Sequence, residues 1–252
     1  MLMNAPLAGK VALVTGAGKN IGRAIALRLA ADGAAIVVNG RSDEAAIKAV
    51  AEEITAAGGR AMAYRADITK PEEVAAMANA VAASFGGVDI LVTNAGLRRQ
   101  TSFLDMSFAE WREILSVALD GAFIITQAFA QEMIARGGGS IIGLSGISTH
   151  VGTPNRAHVS ASKSGLEGLM RALAVELAPK GIRANCVAPG AVDTVRGASA
   201  GSMPSTLADG GIPMRRRASV AEIADVVRML AGPEGGYITG QTIHVNGGAF
   251  LT

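Results

Sequence analysis

The chain reads as α/β, a doubly wound parallel sheet with helices on both faces. Three observations predict this class. Short apolar runs alternate with longer helical segments along the 252 residues. Those runs are apolar on both faces, as strands covered on each side must be. The first run ends in a glycine-rich turn that opens a helix.

Taken in order, residues 11–15 (VALVT) form a strand-length run, and residues 21–32 show helical spacing that closes on Gly33. Residues 36–39 are the next short strand, and residues 43–57 a helix stopped by Gly58-Gly59. Residues 61–65 form a third strand, after which Pro71 opens a helix, because proline suits a first helical turn. ILVT at 90–93, SIIGL at 140–144 and ANCVA at 184–188 repeat the strand theme. Two long segments, 110–135 and 160–178, are apolar or small over most of their circumference. Such helices must be buried inside the domain or against another subunit, so a homo-oligomer, dimer or tetramer, is expected. Residues 194–219 are rich in Gly, Ser, Pro and Met without periodicity, and read as a lid over a binding site.

No linker-like stretch interrupts the alternation, so one domain is expected over residues 1–252. A net charge of +2, with Arg215–Arg217 as the densest basic cluster, argues against a nucleic-acid partner. Cys186 stands alone in an apolar run, which excludes an internal disulfide and points to a buried, inert thiol. The start, MLMNAPLAGK, lacks a signal-peptide core, and no uninterrupted apolar stretch reaches the length of a membrane span. A cytoplasmic protein acting on a small molecule, with no membrane partner and no metal, is the expectation.

The turn itself is TGAGKNIG, residues 15–22, set between the first strand and the first helix. There, glycines let the backbone approach a pyrophosphate resting on the helix N-terminus. Downstream come Asn94-Ala95-Gly96, Lys163, Pro189-Gly190, Thr194 and TGQTIHVNGG at residues 239–248. With these the chain resembles the short-chain dehydrogenase/reductase family, of the type represented by 3-oxoacyl-carrier-protein reductases, from Leu7 to Gly248. The resemblance implies a Rossmann-type fold and a nicotinamide dinucleotide site. Its residues would be Gly16, Lys19, Asn20, Ile21, Gly22, Asn39, Arg41, Asp67, Ile68, Asn94, Ala95, Gly96, Lys163, Pro189, Gly190, Val192 and Thr194. Asn20 replaces the family's middle glycine, and asparagine tolerates a left-handed backbone better than other side chains do. The second strand ends Val38-Asn39-Gly40-Arg41 without the acid that would bond a ribose diol, so Lys19 and Arg41 favour NADP(H) over NAD(H).

The same resemblance implies a catalytic tetrad, of which this chain keeps only Lys163. Ala118 stands at the asparagine position, Gly146 at the serine position with Ser145 before it, and Val159 at the tyrosine position. His150, in the loop that lines the family's substrate pocket, is the expected replacement acid, with Ser145 assisting; dienoyl-CoA reductases also draw an acid from this loop. His158 points away from the Val159–Lys163 helix face and reads as structural. Arg98 and Arg99, after the Asn94–Gly96 motif, would hold an anionic substrate group. The functional expectation is an atypical NADP-dependent oxidoreductase acting on a small carbonyl or conjugated enone. Alternatives are a non-redox lyase, isomerase or hydrolase on this scaffold, or a cofactor-binding pseudoenzyme.

Overall fold

The structure is a computed structural model that describes residues 5–195 and 211–252. Seven parallel strands form one sheet: β1 (Val11–Val14), β2 (Ala35–Gly40), β3 (Ala61–Arg65), β4 (Ile90–Thr93), β5 (Gly139–Leu144), β6 (Ile182–Pro189) and β7 (Thr242–Val245). Their spatial order is β3-β2-β1-β4-β5-β6-β7. The chain therefore works outward from β1 to β3, then returns to lay β4 on the other side of β1. In such a sheet the crevice beyond the ends of β1 and β4 is the natural ligand site.

Strand side chains alternate between two cores, as a pleat requires. Ala12, Val14, Ile36, Val38, Ile90 and Val92 face one core, against helices α1 (Asn20–Ala31), α2 (Glu44–Ala56) and α8 (Val220–Ala231). Val11, Leu13, Val37 and Leu91 face the other, against α3 (Pro71–Phe85), α5 (Gly121–Ala135) and α7 (Ala157–Leu177). The expected fold class is the one observed, with strand bounds within a residue or two of those read from the apolar runs.

The helix expected over 110–135 begins earlier, as α4 (Phe108–Leu115), and passes through a π-helical turn (Ser116–Asp120) into α5. Among the described residues this 28-residue run is the one helix long and apolar enough to cross a bilayer. Its Ile114, Ile125, Phe129 and Met133 are fully buried within the domain instead. A four-residue helix, α6 (Ser148–Val151), interrupts the loop after β5. α8 and β7 lie beyond the sequence expectations. β7 is a half-buried edge strand, and its TIHV lacks the apolar run that marks the central strands. Of the expected lid, residues 196–210 lie outside the described residues; its flanks meet where Asp193 N donates to Ala218 O and Ala218 N to Ala191 O.

Asn39, where an acid would end β2, is 1% exposed and serves the sheet. Its Nδ2 donates to Tyr64 O and Ala66 O, both at 3.2 Å, fastening the edge strand β3 and the chain leaving it. An aspartate has no donor there and would bury a charge against two carbonyl oxygens. Asn39→Asp is expected to cost about 2–4 kcal/mol of unfolding free energy, read as a lowered midpoint in urea denaturation at unchanged slope.

Candidate active site

The turn after β1 is held by a small knot of hydrogen bonds. Thr15 Oγ1 accepts from the backbone N–H groups of Asn94 and Ala95, both at 3.0 Å. Asn94 Nδ2 donates to Thr15 O at 2.9 Å and Gly16 O at 3.1 Å. Gly16 takes φ +62°, and a Cβ on Gly22 would lie 2.4 Å from Gly16 O, so the turn requires glycine at both. Asn20 adopts φ +52°, the left-handed backbone its position demands. Its side chain has a second task that the sequence did not disclose. Nδ2 donates to Val195 O and Oδ1 accepts from Val195 N, both at 3.0 Å, fixing the segment after β6 to the turn.

The α1 N-terminus opens on this turn with no side-chain cap and no acid in its first turn. Its N–H groups and the positive end of its dipole are thus available to an anion, the feature that a dinucleotide pyrophosphate needs. A cleft of about 380 Å³ runs from there along the strand ends, walled by Gly16, Lys19, Asn20, Ile21, Gly22, Asn39, Arg41, Asp67, Ile68, Asn94, Ala95, Gly96 and Thr194. Lys19 and Arg41 are exposed on its rim, and among the described residues neither forms an ion pair. The two carboxylates nearby are engaged: Asp43 caps α2 through Ala46 N, and Asp67 accepts from Thr69 N and Oγ1. The residues present fit a dinucleotide, with a cationic rim where its adenosine end would lie.

The cleft shares the walls Ile21, Asn94, Gly96, Leu97, Arg98 and Thr194 with a second cavity of about 130 Å³. This cavity is bounded by Lys163, Val159, Ser145, Gly146, Ser148, Arg156, Pro189, Gly190 and Val192. Lys163 Nζ donates to Leu144 O at 2.5 Å. Burial, with the charge of Arg98 adding to it, drives its pKa down to about 8. Val159 is 6% exposed and offers the cavity only methyl groups. Ala118 is buried in the π-helical turn, and a Cβ on Gly96 would approach it at 4.0 Å. A Cβ on Gly146 would meet only Ser148 Oγ, at 3.9 Å, so a β-carbon is sterically free there.

Two residues expected to take part are turned toward one buried carboxylate. His150 lies outside the walls of either cavity; its Nε2 sits 3.1 Å from Glu167 Oε1, and its ring packs on His244 and Phe250. Ser145 lines the cavity, but its hydroxyl donates to the same carboxylate. Glu167 is the residue sequence reasoning missed: 5% exposed, one turn beyond Lys163, and a sink for both groups. The i, i+4 spacing from Lys163 was the available signal. Of the arginine pair, Arg98 faces both cavities, whereas Arg99 forms a bidentate pair with Glu113 at 2.6 and 3.1 Å. Arg156, unremarked in the sequence, is 5% exposed and walls the cavity. His158 is structural as read: fully buried, accepting from Val159 N at Nδ1 and facing Glu110 Oε1 at 3.1 Å. Burial pushes the Cys186 thiol up to about 12, which makes it inert.

Residues 16–249 match the family profile described as enoyl-(acyl carrier protein) reductase. A 3-oxoacyl-(acyl-carrier-protein) reductase FabG of Staphylococcus epidermidis is 39% identical over 243 residues, 96% of this chain and 99% of the relative. A 3-oxoacyl-(acyl-carrier-protein) reductase of Synechocystis is 38% identical over 246 residues, covering 97% and 98%. A solved structure described as a candidate short-chain alcohol dehydrogenase of Sinorhizobium meliloti superposes with a TM-score of 0.88 at 35% identity, covering 98% of each chain.

The turn offers a direct check. Gly22→Ala places a methyl group 2.4 Å from Gly16 O and 2.5 Å from Asn94 Nδ2, so the knot must open. The variant is expected to lose about 2–4 kcal/mol of stability and all measurable dinucleotide binding, by denaturation and by fluorescence titration.

Proposed function

The chain belongs to the short-chain dehydrogenase/reductase family of oxidoreductases, and on that premise we propose that it is an NADP(H)-dependent reductase of a small carbonyl or conjugated enone compound, with Lys163 as its proton donor. The observation that carries this reading is a pair of adjoining cavities sharing six wall residues, one opening on the uncapped N-terminus of α1 and the other on Lys163. Lys19, Asn20, Ile21 and Gly22 would hold the pyrophosphate end, Lys19 and Arg41 a 2′-phosphate, and Lys163 the nicotinamide end. The bound cofactor supplies hydride.

What remains for the chain is to steady the negative charge that reduction leaves on the substrate and to deliver a proton. Fixed cations in a desolvated cavity are suited to the first task. For the second, Lys163 Nζ is the described wall group whose proton is labile near neutrality. An enone makes the smaller demand, because its enolate spreads charge and can collect a proton at carbon from solvent. The charged and titratable groups packed near Lys163 are Arg98, Arg156, the neutral thiol of Cys186, and Glu167, whose carboxylate is turned to Ser145 and His150. Phe108, Phe123 and Val175, exposed on the outer helices, are the apolar surface a homo-oligomer would cover.

In fluorescence titrations NADPH is expected to bind at least about tenfold tighter than NADH, a difference of about 1.4 kcal/mol. Arg41→Ala should remove most of that preference by weakening NADPH alone; equal affinities in the parent protein would defeat the cofactor assignment. Because the acid must be protonated to donate, the single-turnover reduction rate should be flat at low pH and fall as pH rises through about 8. Lys163→Arg should lose most of the rate and leave the remainder without that fall, since a guanidinium neither gives up its proton nor titrates there. A fall that persists in the variant would place the proton elsewhere.

A further inference from the structure

We propose that the side chain of Asn20 controls how fast the dinucleotide enters and leaves its cleft, by clasping the backbone of Val195; this deepens the reductase reading and rests on it. Asn20 Nδ2 donates to Val195 O and Asn20 Oδ1 accepts from Val195 N, both at 3.0 Å. The carboxamide thus pairs with both backbone polar groups of one residue, as a neighbouring strand would. The two partners come from separate elements that both wall the cleft, Asn20 from the turn after β1 and Val195 from the segment after β6. Glycine would take the φ of +52° found at position 20 with less strain, so the backbone alone calls for no side chain there. What asparagine adds is the clasp. It also anchors Thr194, which lies between Asp193, whose N–H donates to Ala218 O, and Val195, which Asn20 holds.

The place of the clasp gives it this role. Ile21 and Thr194 wall both the cleft and the smaller cavity, so they mark the junction between the two. Asn20 and Val195, next to them in sequence, wall the cleft alone and stand at the same junction. A ligand that reaches from the α1 N-terminus to Lys163 runs through that junction and past the clasp. A dinucleotide is narrow there, at its pyrophosphate, and wide at both ends, where each ribose carries a ring. Its waist fits beside a closed clasp, but neither end passes one, so exchange waits for two hydrogen bonds to break. Both bonds lie at an exposed site where water competes for their groups, so the clasp slows exchange without sealing the cleft.

Asn20→Gly removes the carboxamide and keeps the left-handed backbone that the turn requires, so the variant should fold. Two readouts on the parent protein and this variant test the proposal. Val195 is 83% exposed, so protection of its N–H from hydrogen exchange reports the clasp. Measured by NMR without nucleotide, that amide should exchange about tenfold faster in the variant, within what two net hydrogen bonds supply. In stopped-flow fluorescence NADPH should leave the variant about tenfold faster, and should also associate faster, because the clasp hinders passage in both directions. Equal exchange of the Val195 amide in the two proteins, or unchanged nucleotide rates, would overturn the proposal. Faster dissociation at an unchanged association rate would overturn it too, since that pattern belongs to a side chain that touches the phosphates directly. Failure of NADPH to bind the parent protein defeats the reductase reading and this one with it, whereas intact binding with unchanged rates defeats only this one.

Discussion

The site depends on the hydrogen bonds that Asn94 and Thr15 exchange at the sheet's switch point. β1 and β4 are neighbours there, yet the chain leaving β1 must turn sharply away to start α1. Asn94 satisfies the carbonyls of Thr15 and Gly16 that this turn exposes, and Thr15 Oγ1 returns the favour to the backbone of Asn94 and Ala95. Unpaired, these groups would be costly at this depth. Once tied, the turn aims the α1 N-terminus into the cleft. The same knot leads the chain onward through Gly96, where an added Cβ would come within 3.4 Å of Lys163 Nζ. The cleft and the smaller cavity are thus two ends of one fixed corner.

Periodicity made most of the sheet legible, because each central strand is a short run buried on both faces. It failed where burial is partial or local, as in β7 and the four-residue α6. The cleft could be read through the glycine turn, whose φ values only certain residues adopt; of the residues the resemblance names, Lys163, Pro189, Gly190 and Val192 line the smaller cavity and the others the cleft. The reaction cavity was less legible, because side-chain direction decided it. His150 and Ser145 lie in the right loop, but a buried carboxylate one turn beyond Lys163 draws both toward itself. Arg156 was silent because nothing in local sequence says that the residue opening a helix points into a cavity. Arg98 and Arg99 are adjacent in sequence and part company only when Glu113 claims one of them.

At the positions where the resemblance implies polar catalytic groups, this chain has Ala118, Gly146 and Val159. Ala118 sits in a π-helical turn, a feature often found at functional sites. That turn is closely packed: a Cβ on Gly121 would lie 2.8 Å from Ile68, and one on Gly165 would lie 2.8 Å from Leu119. Close backbone contacts of this kind preserve the shape of the wall while its chemistry changes. The same holds at Gly146, where room for a β-carbon remains.

The changes around Lys163 are consistent with one another electrostatically. A cavity carrying Arg98, Arg156 and Lys163 lowers the pKa of any acid within it, because it favours the more negative form. A tyrosine at position 159 would be pulled toward phenolate, and the anion would pair with the very cations that face the cavity. Valine places only methyl groups on that wall. Burial first, and the charge of Arg98 second, bring the ammonium of Lys163 down to about 8. On the proposed reading, burial and the neighbouring guanidinium of Arg98, not a phenol, set the acidity of this wall: they bring a lysine low enough to donate, which a solvated lysine would not be.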